Sequence, residues 1–217
     1  AKLQRATQRS LDKGRMPIGA VVALDPRTGE VLALAERYDP DHPNAPQLPE
    51  GGPDHLALRA FAPAASVFKI ITSAALVEAG VRPDKAVPYH HALRGLKPGH
   101  LEPPKPGARR ASLVEALASS NNGYYGRISH LNLDRSELHK AAQRFGFNQV
   151  MPFPLATDAS TAHIPRDDFR RAKVAAGFWS TRLTALHGAL IAASVANGGE
   201  MPHPRLVKRL RSPDGDA

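Results

Sequence analysis

Cysteine is absent from the 217 residues. That removes disulfides, thiol nucleophiles and cysteine-ligated zinc or iron–sulfur centres, while leaving the compartment open. No run of 18 apolar residues occurs, so nothing in this stretch reads as a membrane-spanning helix. Metal-binding spacing is missing as well. His90 and His91 are adjacent, but the ten histidines form no HExxH or comparable pattern, and no metal is expected. The chain opens at Ala1 without a charged-then-apolar leader, so the expectation is that any targeting or anchor segment lies outside it. Internal repeats are also missing.

What is present belongs to a globular chain. Hydrophobic residues make up 42% and charged residues 23%, enough apolar surface for a packed core. Lys and Arg number 29 against 20 Asp and Glu, a net charge of +9 that would attract an anionic partner. The basic residues fall in short clusters: Arg109-Arg110, Arg170-Arg171 with Lys173, and Lys208-Arg209 with Arg211. No aromatic residues interleave with them as a base-stacking surface needs, so the reading is a solvated basic surface and no nucleic acid.

The hydrophobic pattern predicts helices and few strands. Residues 2–13 read as an amphipathic helix ended by Gly14. Ile18 to Leu24 and Val31 to Ala35 read as two strands joined by the turn Asp25-Pro26-Arg27-Thr28-Gly29, a β-hairpin. Residues 38–54, rich in proline, form a long irregular loop. From Ser66 to Gly80 apolar residues occupy every side of a helical wheel, which predicts a helix buried all round. Ser112-Leu113-Val114-Glu115 is a capping box for a short helix to about Ser119. Asp134 with Glu137 opens another helix, closed by Gly146, and Thr184 caps a mostly apolar helix ending at Asn197-Gly198-Gly199. Arg205 to Arg211 alternates like the start of a strand. One hairpin makes no sheet by itself, so the chain is short of strands.

Inside the apolar helix stands one lysine, Lys69, between Phe68 and Ile70. Burial lowers a lysine's pKa and makes it a candidate base. Three residues earlier, at the helix start, is Ser66. The i, i+3 spacing puts hydroxyl and amine on one face, and the helix N-terminus adds an electropositive field beside them. A serine nucleophile needs a base, a fixed orientation and an oxyanion donor, and Ser66-Val67-Phe68-Lys69 supplies the first two and part of the third. The S-x-x-K string alone is weak evidence, since Ser10-Leu11-Asp12-Lys13 repeats it on a polar helix end where the lysine is solvated. A helix cap is the structural alternative for Ser66.

A second motif follows: Ala118-Ser119-Ser120-Asn121-Asn122-Gly123-Tyr124-Tyr125. With it the chain resembles the penicillin-binding proteins, the acyl-serine D,D-transpeptidases of bacterial cell-wall synthesis. Their pattern is S-x-x-K on a buried helix, S-x-N after a short helix and K-T-G on a strand. Two registers fit S-x-N, Ser119/Asn121 and Ser120/Asn122, and the flanking residues favour Ser120 and Asn122. The hairpin Gly19 to Leu34, the stretch Ala64 to Ile70 and the segment Leu183 to Gly199 are similar to family segments in the same order. The neighbours Ala65 and Val67 depart from the usual P-G-S-T-F-K.

The resemblance implies an α+β fold, β-lactamase/transpeptidase-like, with a helical subdomain packed on an antiparallel sheet. It also implies roles. Ser66 attacks the D-Ala-D-Ala carbonyl of a peptidoglycan stem peptide, Lys69 takes its proton, Ser120 relays a proton to the leaving group, and Asn122 orients the substrate amide. A β-lactam would acylate the same Ser66, without metal or organic cofactor. The expected location is the outer face of the cytoplasmic membrane, with membrane contact only through an anchor outside this chain. No K-T-G follows Asn122; Arg27-Thr28-Gly29 mimics it, but in the hairpin turn. The expectation is therefore a single partial transpeptidase domain over 1–217, its sheet incomplete, its last strands and closing helix absent, and inactive by itself. A serine β-lactamase or carboxypeptidase, or a non-catalytic penicillin-binding sensor, shares Ser66 and Lys69.

Overall fold

The computed structural model describes residues 2–92 and 95–207. In chain order the α-helices and strands are α1 (Lys2–Gly14), β1 (Ile18–Leu24), β2 (Val31–Tyr38), α2 (Phe68–Glu78), β3 (Val87–Pro88), β4 (Arg110–Ala111), α3 (Leu113–Ala118), α4 (Asn122–Asn132), α5 (Arg135–Arg144), β5 (Thr161–Ala162), α6 (Asp168–Ala175), β6 (Thr181–Arg182) and α7 (Ala185–Ala196). This is the expected α+β composition. The chain forms two compact units, each drawn from separate stretches of sequence. One comprises 1–61, 150–160 and 183–217, the other 62–149 and 161–182.

The first unit holds the β1–β2 hairpin, α1, α7 and a 3₁₀ turn at Leu56–Leu58. Its core is Leu58, Met151, Leu186 and Leu190, with Val22, Leu24, Val31 and Leu34 of the hairpin packed against it. The apolar period of β2 stops at Ala35, but pairing continues to Tyr38, because Ile18, Gly19 and Ala20 opposite it are still extended. Backbone pairing, not alternation, ends the strand. Two glutamines of α1 cover the outer edge of β2. Gln4 donates to Leu34 O at 2.7 Å and accepts from Leu34 N at 2.8 Å. Gln8 donates to Glu36 O at 2.8 Å and accepts from Glu36 N at 3.4 Å. The loop after β2 is tied down by Tyr38 Oη donating to Pro46 O and by Arg59 donating to Gly51 O, at 2.9 and 2.6 Å. Arg205 bridges Glu30 in parallel. Leu206 and Val207 do not continue it as a strand, and Lys208 to Arg211, the rest of the strand expected there, lie outside the described residues.

The second unit is built on α2, which packs against α3, α4, α5 and α6. Phe68, Lys69, Ile71, Thr72, Ala75 and Leu76 are buried, and Phe68 meets Phe147 edge-on at 5.4 Å. The expectation of burial all round needs correction. Val77 is 47% exposed, because α3 to α6 leave its strip of the helix uncovered. The three capping signals hold: the side chains of Ser112, Asp134 and, in the first unit, Thr184 accept the N–H of Glu115, Glu137 and His187. Helices α4 and α6 carry weaker signals. Asn122–Asn132 contains two glycines, poor helix formers that are required here. A Cβ at Gly123 would lie 1.8 Å from His90 O, and one at Gly126 would lie 2.6 Å from the Leu96 side chain.

Candidate active site

The turn into α2 places the nucleophile candidate. Ala65–Val67 is a 3₁₀ turn, and Ala65 has φ +47°, a left-handed conformation that costs a residue with a Cβ about 1 kcal/mol or more. Ser66 caps nothing; the N-cap of α2 is Val67, which makes no side-chain cap bond. The capping alternative fails because the Ser66 hydroxyl is turned one helical turn forward, where it accepts a hydrogen bond from Lys69 Nζ at 2.9 Å. Ser66 is exposed while Lys69 is fully buried, so a solvent-facing hydroxyl is wired to a desolvated amine.

The S-x-N motif sits on the corner between α3 and α4. Helix α3 ends in a Schellman arrangement: Asn121 N donates to Ala116 O at 2.8 Å and Ser120 N to Leu117 O at 3.1 Å. Ser120 therefore occupies the position usually given to glycine, with φ +50°. Asn121 is consumed as the N-cap of α4, its Oδ1 accepting from Tyr124 N at 3.0 Å, and Ser119 Oγ donates back to Glu115 O at 2.7 Å. The register Ser119/Asn121 is thus spent on helix ends. Ser120 and Asn122 face Lys69 instead, whose Nζ donates to Ser120 Oγ at 3.1 Å and to Asn122 Oδ1 at 2.9 Å, while the Ser120 hydroxyl donates to Ser66 Oγ at 2.8 Å. All four residues proposed from sequence meet within the second unit. Ser10 and Lys13 lie on α1, which buries no residue, and Arg27-Thr28-Gly29 is a turn whose Arg27 and Thr28 N–H groups bind the Asp25 carboxylate. Among the described residues no group of three or more His, Cys, Asp or Glu is arranged to hold a metal.

Burial alone drives the Lys69 pKa down, to about 8. Its hydrogen-bond partners are neutral oxygens, so no ion pair offsets the desolvation. At pH 7 roughly a tenth of the molecules then carry the free amine, about 300-fold more than at the ordinary lysine value of 10.5. Charged, Nζ has three N–H bonds for three acceptors and no lone pair. Neutral, it has two, and the Ser66 hydroxyl can turn its proton into the lone pair. The same three side chains thus hold either protonation state without moving a heavy atom.

Residues not singled out from sequence support this cluster. The Tyr125 ring lies 5.8 Å from Nζ, and its hydroxyl shares a 2.6 Å hydrogen bond with Ser73, which donates to Lys69 O at 2.7 Å. The signals were the spacings Asn122–Tyr125 and Lys69–Ser73, i, i+3 and i, i+4 on their helices. Burial pushes the Tyr125 phenol up to about 12, so it stays neutral. Gly177 ends α6 with φ +87°, and a Cβ there would stand 2.4 Å from Ala65 O. One expectation is overturned. The cluster Arg170-Arg171-Lys173 does carry aromatics: Lys173 Nζ lies 5.7 Å from the Phe169 ring and 5.4 Å from that of Trp179, which the turn after α6 folds back.

The backbone and hydroxyl contributions of Ser120 separate by substitution. Under the acylation of Ser66 that the resemblance implies, Ser120→Ala and Ser120→Gly should slow penicillin labelling equally, by about 10²-fold or more. The glycine variant should be the more stable of the two by about 1 kcal/mol in denaturant titration, since only alanine keeps the left-handed penalty. Ser119→Ala should acylate within about twofold of wild type; a loss as large as that of Ser120→Ala would reverse the register.

Comparison with known proteins finds relatives along nearly the whole chain. The profile of the penicillin binding protein transpeptidase domain matches residues 19–216. The peptidoglycan D,D-transpeptidase PbpA of Mycolicibacterium smegmatis is 33% identical over 90% of this chain, and that of Mycobacterium tuberculosis is 31% identical over 90%. The chain spans about half the length of these curated relatives, 44% in each case. Among solved structures, the imipenem acyl-enzyme complex of penicillin-binding protein A from M. tuberculosis superposes with a TM-score of 0.78, at 28% identity over 100% of this chain and 55% of that one. Its penicillin G acyl-enzyme complex gives a TM-score of 0.74 at 30% identity, over 97% of this chain and 53% of that one. A buried lysine binding two serines and an asparagine, in a chain matched over nearly its whole length, leads to one conclusion: the chain belongs to the penicillin-binding protein transpeptidase domain family.

Proposed function

We propose that the protein is a peptidoglycan D,D-transpeptidase, of which these residues form part of one transpeptidase domain, with Ser66, Lys69, Ser120 and Asn122 as its catalytic residues. The observation that carries the reading is the closed triangle of Lys69 Nζ, Ser66 Oγ and Ser120 Oγ, with sides of 2.8–3.1 Å. In the neutral state Lys69 takes the proton as Ser66 Oγ bonds to the carbonyl carbon of the penultimate D-Ala. The proton then passes through the Ser120 hydroxyl to the nitrogen of the departing D-Ala, so the C–N bond breaks with a neutral amine leaving. Asn122, fixed at the first position of α4, offers its amide to the substrate backbone. An acceptor amine reverses the sequence and releases Ser66. A β-lactam enters by the same first step, and its leaving nitrogen stays tethered.

The protein acts on the outer face of the cytoplasmic membrane in this reading, held by an anchor outside these residues. No helix among the described residues is long and apolar enough to cross a membrane. The test supplies the full-length protein with a donor peptide ending in D-Ala-D-Ala and an amine acceptor. Release of D-Ala matched by cross-linked product is the expected result. Release without cross-linking would replace the reading with a carboxypeptidase, and no release, together with no penicillin labelling, with a sensor.

A further inference from the structure

The loop leaving α6 is fastened at both ends to the residues ahead of Ser66. A Cβ on Gly177 would lie 2.4 Å from Ala65 O and 3.2 Å from Ser66 N. At the other end Thr181 Oγ1 accepts the Ala64 N–H at 3.3 Å. Between these points Trp179 and Ser180 have φ +56° and +57°, the region that residues with a Cβ avoid. This conformation turns the indole outward. Trp179 is 72% exposed, although an indole gains more than most side chains from burial. It stands two residues, at most about 7 Å of chain, from the glycine that touches the nucleophile's backbone.

The surroundings of that indole are cationic. Lys173 Nζ lies within about 6 Å of the rings of both Trp179 and Phe169, at 5.4 and 5.7 Å, and with Arg170 and His163 it lines a cavity of about 340 Å³. The acids of the same helix are engaged elsewhere: Asp168 pairs with Arg171 at 2.9 Å, and Asp167 accepts the Arg170 N–H at 2.7 Å. Neither Lys173 nor Arg170 has a carboxylate partner among the described residues. A flat apolar face beside two uncompensated cations is complementary to a planar group carrying a carboxylate.

We propose that this pocket binds a carboxylate-bearing planar substituent of the ligand that acylates Ser66, with its flat face on Trp179 and its carboxylate at Lys173 and Arg170. The proposal rests on the acyl-enzyme reading above and adds a specificity element to it.

Benzylpenicillin and its α-carboxy analogue carbenicillin form a matched pair for the full-length protein. Lys173→Met, which keeps the apolar stem, should lower the carbenicillin-to-benzylpenicillin ratio of acylation rates about tenfold and leave benzylpenicillin within about twofold. An unchanged ratio overturns the proposal. A second measurement does not need Ser66. The emission of Trp179, isolated as the difference between wild type and Trp179→Phe, is titrated with phenylmalonate, the free acid of the carbenicillin side chain. A saturable change that weakens with salt and disappears in Lys173→Met supports the pocket, and an unresponsive indole overturns it. An emission response in a protein that neither penicillin acylates upholds the pocket and strikes the acyl-enzyme reading instead.

Discussion

Ser66→Ala should abolish covalent capture of penicillin. Intact-mass measurement on the full-length protein is expected to show one adduct in the wild type, mapped to the peptide containing Ser66, and none in the variant. Loss of the attacking atom in serine acyl-transfer enzymes costs about 10⁶-fold in turnover, beyond any effect of positioning. The variant should also remain folded: Ser66 is exposed and caps no helix, and losing its hydroxyl leaves the buried Lys69 amine short of one partner, a cost of about 1–3 kcal/mol. A folded protein that no longer labels isolates the hydroxyl. Ser10→Ala, with the same S-x-x-K spacing on a helix that buries nothing, should label like wild type. An adduct that persists in Ser66→Ala would move the nucleophile elsewhere.

Lys69→Met carries the second large effect. Methionine matches the length of the lysine stem and fits the buried site, whereas arginine would bring a larger group that never deprotonates. Acylation should fall by about 10²–10⁴-fold, the usual contribution of a positioned base. The pH dependence gives the more specific signature. In the wild type the acylation rate should rise about tenfold per pH unit below pH 8 and level off above it, because in the proposed mechanism the reactive form is the neutral amine, whose pKa is about 8. The methionine variant should show no such rise. Stability follows the same group. A folded pKa below the unfolded value of 10.5 means that the unfolded chain binds more protons between pH 8 and 10.5, so this group's contribution grows more favourable as pH rises through that window. A wild-type profile flat from pH 6 to 9 would remove Lys69 as the base.

Much of this site can be read from the chain because its chemistry is local. Ser66 and Lys69 lie one helical turn apart, and the capping boxes at Ser112 and Asp134 place α3 and α5. The choice of Ser120 over Ser119 becomes physical only with the Schellman turn, which spends Ser119 and Asn121 on helix ends. The departures have a common cause in long-range packing. Gly123 and Gly126 weaken the helical signal of α4, yet the approach of His90 and Leu96 requires them. The expectation that α2 is buried on all sides follows from composition, and only the arrangement of α3 to α6 exposes Val77. Lys173 reads as one cation in a solvated cluster until the turn at Gly177 brings Trp179 back over it. Two units assembled from alternating stretches of chain leave no mark in periodicity at all.

The glutamine clips of α1 cover one stretch of the hairpin's edge with side chains. Four residues of helix rise about 6.0 Å and two residues of strand about 6.7 Å, so Gln4 and Gln8 can address Leu34 and Glu36 in register. A third rung would be more than 1 Å out of step, and at that position stands Asp12, which accepts from Gln8 at 3.2 Å instead of reaching the strand. The side-chain amides imitate a neighbouring strand's peptide groups closely enough to occupy the edge, yet they offer no ladder that another chain could extend. On the opposite side no described side chain engages the outward backbone of Ala20 or Val22. Among the described residues the outer edge of β2 is thus shared between two side-chain amides and the backbone of Arg205, which bonds Gly29 and Val31 at 2.8 Å each, while the edge along β1 carries no such cover.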